Sequence, residues 1–149
     1  PRLWHEFFKP RYERIFAAAH AAGWHVRMHS CGKINEIIEG LIEIGLDVIN
    51  LQQPRALGIE EIGQRFAGRI CFESVCDIQH TLPTGDPEAI REEAKLLLDH
   101  WGTDEGGFIL SDYGDPRAIG ASVEAKRIML DAFLKADRWA PSSIAEPSQ

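Results

Sequence analysis

HVRMHSCGKINEII, residues 25–38, begins as a strand and ends as a helix, and that change of period decides the fold. Up to His29 the run reads as a short strand, flanked by Gly23 and Gly32. Beyond Gly32, Ile34, Ile37, Ile38 and Leu41 fall at i, i+3, i+4 and i+7, the stripe of an amphipathic helix, and Gly45 suits its stop.

The same cycle recurs downstream. DVINLQ (47–52) is β-rich and LGIEEIGQRFAG (57–68) reads as a modest helix ending in glycine. RICFESVC (69–76) is the next strand; GDPEAIREEAKLLLDHWG (85–102) is a helix with Asp86 as N-cap, Pro87 first and Gly102 as stop. GGFILSD (106–112) is a fourth strand, and SVEAKRIMLDAFLKA (122–136) a last helix capped by Ser122, with Ala125, Ile128, Met129, Ala132 and Phe133 on its apolar face. Upstream, PRYERIFAAAHAAG (10–23) is a leading helix with Tyr12, Ile15, Phe16 and Ala19 on one stripe, preceded by the aromatic LWHEFF (3–8) as a short helix or turn.

One helix followed by four βα units predicts an α/β fold with a parallel sheet and helices outside it. Four strands do not close an eight-stranded barrel. Either the chain is a small open sheet or, as expected here, the C-terminal half of a (β/α)8 barrel over residues 1–140, with 141–149 as a flexible tail. The first residue is Pro1, so an upstream half is expected to be missing; two unpaired strand edges would then make the isolated piece prone to self-association.

At 149 residues the chain has the size of one ordinary domain, and 44% hydrophobic with 26% charged residues excludes the disordered and fibrous classes. A net charge of −7 without a basic cluster argues against nucleic acid as a partner. No apolar run reaches the length of a membrane helix. Cys31, Cys71 and Cys76 make no disulfide framework, which favours a reducing, cytoplasmic setting.

Ligands of parallel α/β folds sit at the carboxyl ends of the strands. Those ends collect His29, Cys31, Gln52, Gln53, Glu73, Cys76, Asp77, Ser111, Asp112 and Tyr113. His29 and Cys31, two apart on a strand, point to one face, and Gly32 permits a tight turn that keeps both at the lip. An imidazole and a thiol so placed are either two legs of a zinc site or a Cys–His nucleophile pair. Glu73, Asp77 and Asp112 are candidate catalytic carboxylates, with loop capping the competing role for either aspartate, and Gln53 and Tyr113 are candidate substrate contacts. Cys71 reads as core, Cys76 as core or rim, and Arg27 with His25, sharing the parity of His29, either as a polar layer inside the barrel or as solvent-facing residues of a truncated form.

Residues 9–54 and 68–110 carry an H-x-C-G turn, a G-x-D-V strand, a D-x-Q-x-T-L-P loop and a G-G-F-I-L strand in that order. In these the chain resembles the C-terminal half of the uroporphyrinogen decarboxylase superfamily, from about Phe8 to about Phe133. The resemblance implies a (β/α)8 barrel and two branches: cofactor-free decarboxylases, and methylcobamide:thiol methyltransferases in which H-x-C and a later cysteine hold zinc. By resemblance, His29 and Cys31 match the first two zinc ligands, which points to methyl transfer between a corrinoid, carried by a partner protein, and a thiol. Where the third-ligand cysteine is usual, this chain has SDYGD (111–115), leaving Cys76, Glu73 or Asp112 as the third ligand. The alternatives are a metal-independent carboxy-lyase and a non-catalytic ligand-binding barrel.

Overall fold

A computed structural model of the chain describes residues 1–136. The expected tail at 141–149 lies outside the described residues. A turn of π-helix over Trp4–Phe8 leads into α1 (Lys9–Ala21), followed by β1 (Arg27–His29), α2 (Asn35–Glu43) and β2 (Val48–Leu51). Then come α3 (Pro54–Leu57), α4 (Ile59–Phe66), β3 (Cys71–Ser74), α5 (Thr81–Thr84), α6 (Pro87–Trp101), β4 (Phe108–Leu110), a 3-10 turn at Pro116–Ile119, and α7 (Val123–Leu134).

The four strands form one parallel sheet in the order β1-β2-β3-β4, each paired with its sequence neighbour and followed by helix. This is half of a (β/α)8 barrel. Register puts Met28, Ile49, Phe72 and Phe108 in one row, on the helix side. Phe72 stacks on Trp101 of α6 with ring centroids 4.6 Å apart, and Phe108 stacks on Phe133 of α7 at 5.6 Å. Trp101 is fully buried and its indole N–H donates to the Ile59 carbonyl at 2.8 Å, joining α6 to α4. The alternate residues Arg27, His29, Val48, Asn50, Cys71, Glu73 and Ile109 point to the other face, which no helix covers among the described residues. In a closed barrel that face is the lumen.

Caps fall where the side chains dictate. Asp86 accepts from the Glu88 N–H at 2.9 Å to start α6, and Ser122 accepts from the Ala125 N–H at 2.9 Å to start α7. Some expectations are corrected. The helix expected over 57–68 is α4, Ile59–Phe66; Gly58, at φ +82°, starts it later than expected and parts it from the short α3. The loop 77–87 contains the single turn α5, with Asp77 accepting from backbone N–H groups at its entry. On α1 only Phe16 is buried, while Ile15 faces outward at 62% exposure.

Exposed apolar side chains gather towards the sheet margins: Leu3, Phe7, Phe8, Ile15 and Trp24 around α1 and the entry to β1, and Val123 and Leu134 on α7. Ile109 stands 43% exposed on the lumen face of β4. Among the described residues, β1 and β4 each pair on one side only. No helix among the described residues is long and apolar enough to cross a membrane.

Candidate active site

Because all four strands run the same way, their carboxyl ends meet at one rim. After β1 the chain turns through Ser30, Cys31 and Gly32, and Gly32 adopts φ +75°, a conformation only glycine reaches without strain. The turn is pinned twice: the Ser30 N–H donates to the Asn50 carbonyl at 3.2 Å, and the Gly32 N–H donates to Oε1 of Gln53 at 2.6 Å. Gln53, expected to contact substrate, here holds the loop that carries Cys31.

On that turn the imidazole and thiol converge. Nε2 of His29 lies 3.2 Å from Sγ of Cys31, and both side chains are exposed. Nδ1 of His29 meets Oδ1 of Asn50, its register partner on β2, at 2.6 Å. Two ligands of one tetrahedral zinc, at about 2.0–2.1 Å for nitrogen and about 2.3 Å for sulfur, lie about 3.6 Å apart. The pair therefore needs only a small opening to take the ion, and its N/S donor set suits zinc.

Below the pair, Glu73 is buried and accepts from Arg27 through both oxygens, with Arg27 Nη2 to Oε1 at 2.6 Å, and from the Ser111 hydroxyl at 3.0 Å. The Arg27 guanidinium, helped by Ser111, holds the Glu73 carboxyl below the usual glutamate range against the opposing effect of burial. Expected as a catalytic group or third ligand, Glu73 is here engaged by Arg27 and Ser111, at the centre of a polar layer linking β1, β3 and the exit of β4. Arg27 joins that layer as expected. His25 does not; it is exposed and lies 3.7 Å from Asp47 before β2, at the opposite end of the sheet.

Two more expectations fail for reasons of burial. Cys76 is fully buried, with Sγ donating to the Ile90 carbonyl at 3.5 Å, and burial pushes its thiol far above the ordinary cysteine range. It faces α6 and cannot join His29 and Cys31. Asp77 is also fully buried and accepts from three backbone N–H groups, those of Gln79 and His80 at 2.9 Å and of Arg55 at 3.1 Å. It is a loop cap rather than a catalytic acid. Cys71, expected in the core, is half-buried on the lumen face of β3.

Asp112 is exposed and bound to Nζ of Lys126 at 2.6 Å, and the same ammonium donates to the Gly114 carbonyl at 2.9 Å. That lysine ties the loop after β4 to α7 and keeps Asp112 engaged on the β4 side. Tyr113 stands half-buried beside it. No three His, Cys, Asp or Glu side chains cluster as a metal site among the described residues. A groove of about 650 Å³ lies between α6 and α7 and is lined by none of the candidate residues.

Sequence reasoning missed three residues that organise the rim. Asn50 is one. The others are Arg55 and Glu93: Glu93, nearly fully buried on α6, accepts from Arg55, from the Thr81 hydroxyl at 2.7 Å and from the Asp77 N–H at 2.5 Å. A signal was present, since Glu93 shares its helix stripe with Ile90, Ala94 and Leu97, and a charge on a buried stripe requires a partner.

In sequence comparison, the model of the uroporphyrinogen decarboxylase (URO-D) family matches residues 1–115. No curated protein matches the sequence.

Proposed function

The chain belongs to the uroporphyrinogen decarboxylase family, and on that premise we propose that it serves methyl transfer rather than decarboxylation. In this reading a methyl group passes from a corrinoid, carried by a partner protein, to a small thiol. His29 and Cys31 hold a zinc ion at the rim. The observation that carries the reading is the approach of His29 Nε2 and Cys31 Sγ to 3.2 Å on an exposed turn.

Zinc bound there would supply Lewis acidity, keeping an incoming thiol deprotonated and nucleophilic at neutral pH. The chain's own residues do the rest. Gln53 fixes the turn through the Gly32 N–H, and the Arg27–Glu73–Ser111 layer closes the floor beneath the pair. The thiol proton leaves to solvent, the sulfur electron pair forms the new S–C bond, and the Co–C bond breaks with its electron pair staying on the corrinoid, the leaving group carried away by the partner protein. No third His, Cys, Asp or Glu joins the pair among the described residues, so a zinc shell would be completed by a donor from elsewhere or by the substrate thiol itself.

The test follows methylcobalamin absorbance with a small thiol as acceptor, on the full-length protein. The reading expects transfer that a strong chelator abolishes and zinc restores, and that His29→Ala or Cys31→Ala reduces at least 100-fold. Transfer indifferent to chelation would overturn it. So would a zinc-free protein that instead releases carbon dioxide from a polycarboxylated cyclic substrate, or one that binds a ligand without turnover.

A further inference from the structure

Asn50 sits mid-strand on the lumen face of β2, 2% exposed, between His29 on one side and Glu73 on the other. Its side-chain Nδ2 donates to the Glu73 backbone carbonyl at 3.3 Å. A carbonyl only accepts, so the amide is oriented with its NH2 toward β3 and its oxygen toward β1. That oxygen lies 2.6 Å from Nδ1 of His29. An amide oxygen also only accepts, so Nδ1 must carry the proton. A neutral imidazole has one ring proton, which leaves Nε2 as a bare lone pair, and Nε2 is the atom that faces Cys31 Sγ.

From this chain of donors and acceptors we infer that Asn50 is a positioning residue: it locks His29 in the Nδ1–H tautomer and aims the Nε2 lone pair at the shared site with Cys31. Free imidazole side chains prefer the opposite tautomer, so the protein sets this preference. The partner on the second ring nitrogen of a metal-binding histidine fixes ring orientation and basicity, and its loss typically costs about 10–100-fold in metal affinity. The affinity consequence rests on the zinc reading; the tautomer does not.

The experiment uses metal-free protein with ¹⁵N-labelled histidine at pH 8, where an ordinary histidine is neutral. Long-range ¹H–¹⁵N correlation reads the tautomer, and His29→Gln assigns the signal. Wild-type His29 is expected as Nδ1–H, and Asn50→Leu is expected to shift it towards Nε2–H. In competition with a chromophoric chelator, Asn50→Leu should bind zinc about 10–100-fold more weakly than wild type. A wild-type Nε2–H tautomer overturns the inference, and this reading needs no variant to fold. A folded Asn50→Leu protein that keeps His29 as Nδ1–H overturns it too, whereas unchanged zinc affinity in that protein overturns the affinity consequence alone. Nδ1–H in a wild type that binds no zinc supports the role of Asn50 and refutes the metal reading alone.

Discussion

Replacing Glu73 by Gln tests the polar floor on which the candidate site rests. The substitution keeps the volume of a side chain that is only 9% exposed and removes its charge. Lost are the Arg27 Nε contact, whose acceptor oxygen becomes an NH2, and the charge on the oxygen that accepts from Arg27 Nη2 at 2.6 Å and from Ser111 at 3.0 Å. Hydrogen bonds to charged groups contribute about 1.5–3 kcal/mol each. The Arg27 side chain is 55% exposed and returns to water when released, and the Gln oxygen still accepts from Ser111. The net cost is therefore about 2 kcal/mol, a fall in Tm of about 4–8 °C for a domain of this size. The sign of the pH dependence follows from the lowered Glu73 carboxyl. Its stabilisation is complete above the ordinary unfolded glutamate value, about 4.3, and is lost as pH falls through the lower folded value. Thermal unfolding of both proteins should thus show a constant gap from pH 7 to about pH 5, narrowing below about pH 4. A gap under about 0.5 kcal/mol at pH 7, or one undiminished in acid, would refute the reasoning.

Ellman's reagent on native protein should label Cys31 fastest, Cys71 more slowly, and Cys76 only on unfolding, because Cys31 is exposed and Cys76 is sealed beneath α6; prompt labelling of Cys76 would contradict its burial. Gly63→Ala in α4 would drive a Cβ into the His100 backbone carbonyl of α6, so it should cost about 1–3 kcal/mol by urea denaturation, and an unchanged midpoint would deny the close approach of the two helices.

The βα cycle was legible because period and punctuation agree. Asp86-Pro87, Gly102 and Ser122 bound their helices as the sequence suggests, and the apolar stripe of α2 buries Ile38 and Leu41. The His29–Cys31 convergence was expected from strand parity, but β1 ends at His29 and the thiol reaches the imidazole on the turn that Gly32 permits. The roles of the carboxylates were not legible. Glu73, Asp77 and Asp112 look alike at strand ends, yet their partners come from residues 46, 22 and 14 positions away: Arg27 across two strands, Arg55 on α3 and Lys126 on α7. Cys76 follows β3 as Cys31 follows β1, but its thiol turns toward α6 and the core rather than the mouth, a choice made by tertiary packing. Ile15 fits the α1 stripe by spacing and still faces outward, because no element among the described residues lies against it.

Zinc analysis with X-ray absorption on the full-length protein bears most directly on the central claim. The account predicts about one zinc per chain, with nitrogen and sulfur in its first shell, the sulfur contribution falling in Cys31→Ala and unchanged in Cys76→Ala. A protein without zinc, or a shell that Cys31→Ala leaves intact, would contradict it.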